Sequence, residues 1–141
     1  MEHRAINDNY RAIAEGLIEK EPELQYIKDS RVHITYLESD STKKDGKDKL
    51  VYAECEKVQA KNKWAITCDF TITVFKNNCV GMSEKQMEVL LFHELLHVGI
   101  EVGPDGDETY SVNKHDLEDF KIIIDKYGKA GYLLDEMNIV K

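Results

Sequence analysis

The chain has 141 residues, of which 42% are hydrophobic and 33% charged, with 2 Pro and 8 Gly; that is the composition of a folded globular protein about one domain long, and it excludes a disordered or fibrous chain. A formal net charge of −8 opposes general binding to nucleic acid or to an acidic membrane surface, since both require a basic face. No apolar run approaches the roughly 18 residues that cross a bilayer, and Arg4, Asp8, Arg11, Glu15 and Glu19 stand where a secretory leader would be apolar, so the expectation is one domain over residues 1–141, in the cytoplasm.

Tyr10, Ile13, Ala14, Leu17 and Ile18 recur at helical spacing behind polar caps at Asn7 to Asn9, which predicts an amphipathic helix over Asn9 to Lys20, ended by Pro22. Arg31 to Leu37 is rich in β-branched and aromatic residues and reads as a strand. Glu38 to Lys49 contains no apolar residue and reads as a loop or hairpin tip. Leu50 to Val58 is a second strand, weakened by its Ala and Glu content. Lys61 to Thr67, around Trp64, has no dominant pattern, whereas Asp69 to Phe75 alternates cleanly and is the strongest strand of the chain.

Ser83 followed by Gln86 is a capping box, and with neither Pro nor Gly before Gly99 it predicts a helix over Glu84 to Val98. The later part of that helix is apolar nearly all round, the pattern of a helix buried on every side. Gly103 to Gly106 is a turn, Asp107 to Val112 a short strand, His115 to Tyr127 a second helix closed by Gly128, and Tyr132 to Val140 a final short element. The cysteines, Cys55, Cys68 and Cys79, include no C-x-x-C pair and read as free thiols in a reducing compartment, with Cys68 filling the core.

Within the buried helix lie His93, Glu94 and His97, in the order H-E-L-L-H. Buried ionisable groups are expensive unless something compensates them. Residues four apart share a helix face, so both imidazoles can hold one metal ion, while Glu94 reaches a water which that ion would activate. Zinc is the expected metal and Glu94 the expected general base. A catalytic zinc takes a third protein ligand. His115, beyond a glycine-containing turn, is the first choice, with Asp116, Glu118 and Asp119 as competitors or as partners that fix a ligand imidazole.

Ile100 and Gly103 stand where a metzincin has glycine and histidine, which excludes that family. His33, Tyr110 and Tyr127 are available as donors to a developing oxyanion, none of them singled out. The chain contains no nucleophile elbow, P-loop or dinucleotide-binding turn. Asp105-Gly106-Asp107 opens like a calcium loop, but Thr109 and Tyr110 replace the next ligand and the glycine. From Glu101 to Phe120 the acids Glu101, Asp105, Asp107, Glu108, Asp116, Glu118 and Asp119 face only Lys114, a local charge that favours cationic substrates.

The stretch DFTITV, then MSEKQMEVLLFHELLHVGI, then KHDLEDFKIIIDKYG resembles the putative phage metallopeptidase domain family, small relatives of the SprT-like zincins. The resemblance implies zinc on His93, His97 and His115 with Glu94 as general base. The expected fold is α+β and zincin-like: an N-terminal helix, a small twisted sheet of three or four strands, a buried H-E-x-x-H helix packed on it, and a helix bearing His115. Lacking the cysteine ribbon and basic extension of SprT-like proteins, the chain is not expected to act on DNA-linked substrates. The expected activity is zinc-dependent hydrolysis of a protein or peptide; the alternative is an interaction module that binds zinc and turns nothing over.

Overall fold

A computed structural model of the chain describes residues 2–114. The expected elements over 115–127 and 132–140 lie outside the described residues.

A short strand, β1 (Arg4–Ile6), leads into α1 (Asp8–Lys20). Asn7 caps α1, its side-chain oxygen accepting the Tyr10 amide at 2.9 Å, and Ala14 and Leu17 bury the inner face. Pro22 opens a 3-10 turn that passes into a one-turn helix, α2 (Gln25–Lys28). Then follow β2 (Ile34–Ser39), β3 (Ala53–Lys57), β4 (Phe70–Phe75) and α3 (Glu84–Leu96).

The four strands form one sheet in the order β1-β2-β4-β3, with β2 and β4 parallel and both outer pairs antiparallel. Its central register, Ile34 opposite Phe70, is pinned by Asp69: the His33 amide donates to the Asp69 carboxylate at 2.9 Å and the Asp69 amide to the His33 carbonyl at 2.8 Å. β4 is buried on both faces. Phe70, Ile72 and Val74 enter the main core, while Thr73 accepts a hydrogen bond from Arg4 at 3.1 Å and Phe75 packs under the Arg4 guanidinium.

The expected capping box of α3 is present: the Gln86 amide donates to Ser83 Oγ at 3.1 Å, and the Ser83 amide to Gln86 Oε1 at 2.9 Å. From Val89 to Leu96 every residue is buried, because α1 covers one side of the helix and the sheet the other. Each fully buried Leu or Phe here contributes about 1.5–3 kcal/mol of transfer free energy.

The helix ends earlier than the sequence pattern indicates. His97 is the C-cap and Val98 begins a strand, β5 (Val98–Val102), that pairs antiparallel with β6 (Glu108–Val112). β6 matches the expected strand, whereas β1, α2 and β5 carry no clear local signal. Residues around Trp64 form a 3-10 turn (Ala60–Asn62) and a loop, with Trp64 itself 87% exposed. All three cysteines are free thiols, and Cys68 and Cys79 are buried. Among the described residues no helix is long and apolar enough to cross a membrane.

Burial pushes the Cys79 thiol and the Tyr26 hydroxyl up to about 12. In the unfolded chain these groups lose their protons near pH 8.5–10, so above that range the folded state holds more protons than the unfolded state and stability falls with rising pH. The melting temperature should therefore decline steadily between about pH 9 and pH 12, and Cys79→Ala should flatten the early part of that decline in thermal scans.

Candidate metal centre

The core-facing end of α3 presents His93, 2% exposed, and Glu94, 5% exposed, with half-buried His97 one turn on. Although His97 lies beyond the last residue of the helix proper, its φ of −74° and ψ of −17° remain right-handed helical, so the four-residue spacing still sets the two rings side by side. Their centroids are 5.2 Å apart with planes inclined at 68°. One ligand atom from each of His93, Glu94 and His97 lies within 4.8 Å of the others.

The ring of His97 is held from behind. Its Nδ1 lies 2.6 Å from the carbonyl oxygen of Asn113, and since a carbonyl only accepts, Nδ1 carries the proton and Nε2 is left with the lone pair. This arrangement, with a backbone carbonyl fixing the tautomer, suits metal-ligating histidines. The Asn113 amide donates in return to the His97 carbonyl at 2.7 Å.

The cluster opens on a cavity of about 250 Å³, walled by residues 50–55 ahead of and within β3 and by Val112 at the end of β6. Cys55 belongs to that wall. Burial, and after it the negative charge of Glu94, pushes its thiol well above the ordinary range, so it stands at the pocket as a neutral thiol. No motif in the sequence marks Cys55 or Asn113 as neighbours of the H-E-L-L-H residues, because a strand and a hairpin end bring them there.

Other candidates lie elsewhere. His33 is exposed and lines a separate groove with Arg11, Glu15 and Lys28, and it directly precedes β2, an interior strand of the sheet. The hydroxyl of Tyr110 donates to Glu108 at 2.7 Å and its ring meets Phe70 edge-on. Neither lines the cavity. His115, Asp116, Glu118, Asp119 and Tyr127 lie outside the described residues.

Two imidazoles and a carboxylate converging at this range, one ring already held in the coordinating tautomer, form a donor set that fits a divalent transition metal. An α+β fold with a His-Glu-x-x-His group in a buried helix, open to a cavity, is the class of protein these observations define. The family model described as Putative phage metallopeptidase matches residues 3–138, and the chain belongs to that family. Its description is of a hydrolase of the peptidase type and implies a metal ion. No curated protein and no solved structure matches the chain.

Metal binding to the folded state alone should raise stability by about 2.7 kcal/mol at a free concentration of about 100 times Kd. Thermal scans with and without a divalent transition metal should show this rise in the unaltered protein and lose it in His93→Ala and His97→Ala. A rise that persists in both variants would place the metal elsewhere.

Proposed function

We propose that the chain is a zinc-dependent peptidase, with His93, His97 and His115 as metal ligands and Glu94 as general base. The observation that carries this reading is the convergence of both imidazoles and the Glu94 carboxylate at the floor of one cavity. Nitrogen donors with one carboxylate beside them suit zinc better than calcium or magnesium, which take oxygen ligands. When bound, zinc supplies Lewis acidity that polarises a carbonyl and acidifies water toward neutral pH.

Chain connectivity supports His115 as the third ligand. Asn113 exchanges two hydrogen bonds with His97, and His115 follows it by two positions in the sequence. Glu94, on the next angle of the helix, takes the proton of the attacking water and returns it to the leaving amine. The low exposure of Glu94 limits competition from bulk solvent for that proton.

β3 supports a peptide as substrate. It stands at the end of the sheet order, and among the described residues no strand pairs with its outer edge. Residues 53–55 of β3 also line the cavity. An extended peptide can add there as a further strand, its main chain bonded to the edge and its scissile bond over Glu94.

Glu94→Gln keeps the shape of the side chain and removes the base. Hydrolysis of a quenched peptide library should fall by about 10²–10⁴-fold, with zinc content by mass spectrometry unchanged. Equal activity in the variant would overturn the assignment of Glu94, and zinc binding without turnover by the unaltered protein on any peptide would favour the inactive interaction module. His115→Ala should lower zinc content from about one per chain toward zero after dialysis, a catalytic site normally taking three protein ligands. Full retention of zinc would pass the third position to Asp116, Glu118 or Asp119.

A further inference from the structure

An α-helix leaves its last carbonyls without partners inside the helix. At the end of α3 these groups are captured by a residue far along the chain. The side-chain amide of Asn113 donates to the carbonyls of Leu96 at 3.2 Å and Val98 at 3.3 Å, and its main-chain amide donates to that of His97 at 2.7 Å. Three consecutive carbonyls are thus held by one residue. Asn113's own carbonyl then accepts from His97 Nδ1 at 2.6 Å.

Asparagine suits this position by its chemistry: its amide nitrogen has two hydrogens to give two carbonyls. Aspartate would offer acceptors to acceptors. Space for the side chain comes from the facing strand. A Cβ on Gly99 would fall 2.7 Å from Asn113 Oδ1, 2.7 Å from the Ser111 carbonyl and 2.8 Å from Ser111 Oγ, so no side chain fits at 99 while Asn113 is seated. The β5–β6 register, Val98 opposite Val112 and Gly99 opposite Ser111, brings the chain back to the helix end in time for residue 113 to close it.

We infer that Asn113 is the positioning residue of the metal centre, with Gly99 as its seat. Its amide ties the end of β6 to the end of α3, and the tie sets its carbonyl behind His97 so that the ring's proton stays on Nδ1 and its lone pair on Nε2. The inference rests on the reading of His97 as a metal ligand, but the state of the ring can be observed without metal. Asn113 is exposed, so its replacement leaves the core packing intact.

The test compares the unaltered full chain with Asn113→Ala, Gly99→Ala and Tyr26→Phe. Tyr26 supplies the control, because its hydroxyl donates to the Val98 carbonyl at 2.7 Å and so supports the same helix end without touching the ring. In metal-free protein, two-bond proton–nitrogen correlation spectra should show His97 protonated at Nδ1 in the unaltered chain and in Tyr26→Phe. Both Asn113→Ala and Gly99→Ala should show a mixture of tautomers. Zinc affinity, measured by competition with a chromophoric chelator, should fall about 10–100-fold in those two variants, the usual effect of losing a group that orients a ligand. Tyr26→Phe should lower the melting temperature and leave affinity within a factor of about three, as expected for a change that leaves the ligand's orienting partner in place.

Unaltered tautomer and affinity in Asn113→Ala would overturn the inference. An equal loss of affinity in Tyr26→Phe would overturn it too, since general weakening of the helix end would then suffice. An unaltered chain that takes up no zinc would overturn the proposed function instead, and the ring spectra alone would then decide whether Asn113 positions His97.

Discussion

Two ionisable side chains, His93 and Glu94, lie on α3, the helix that among the described residues the core surrounds, with His97 at its cap, and the described fold is arranged about that constraint. Polar groups at such depth are tolerated only with compensating partners nearby. Water cannot rearrange freely around them, so packing determines where their donor atoms point. Phe70, Ile72 and Val74 of the central strand and Ala14 and Leu17 of α1 therefore do more than stabilise: they keep α3 at a fixed depth and rotation beneath the cavity.

The C-terminal end of α3 matters as much as its buried face. His97 sits at the cap, where a helix would ordinarily fray, and a side chain on a fraying turn would lose orientation. Tyr26 from one side and Asn113 from the other bind the carbonyls of that turn. The β5–β6 hairpin thus closes the helix and walls the cavity with Val112. A compact protein can build a site from one helix and one returning hairpin because both ends of the hairpin meet at His97.

Much of this was legible from residue order. The capping box at Ser83 and Gln86, the apolar run that follows, the alternating pattern of β4 and the paired histidines depend on near neighbours in sequence, and each appears in the structure as expected. The C-terminus of α3 was not legible in the same way. Apolar periodicity continues through Val98, and helix propensity alone does not separate Val98 from the residues before it. The helix stops at His97, where Asn113, sixteen residues on, takes the carbonyls of Leu96 and His97. The interior place of β2 and the pairing of β1 were hidden for a similar reason: the strand order of a sheet is a long-range property.

By itself, then, the sequence determined the elements whose signals are local, the chemistry of the H-E-L-L-H residues and the face they share, since helical spacing follows from neighbouring positions alone. Only the tertiary structure decided that the helix ends at the second histidine, that its ring is held with Nδ1 protonated, and that Cys55 and the edge of β3 wall the cavity. Those features rest on hydrogen bonds and contacts between segments many residues apart, where the partner is chosen by the folded topology and not by any pattern in its own stretch of chain.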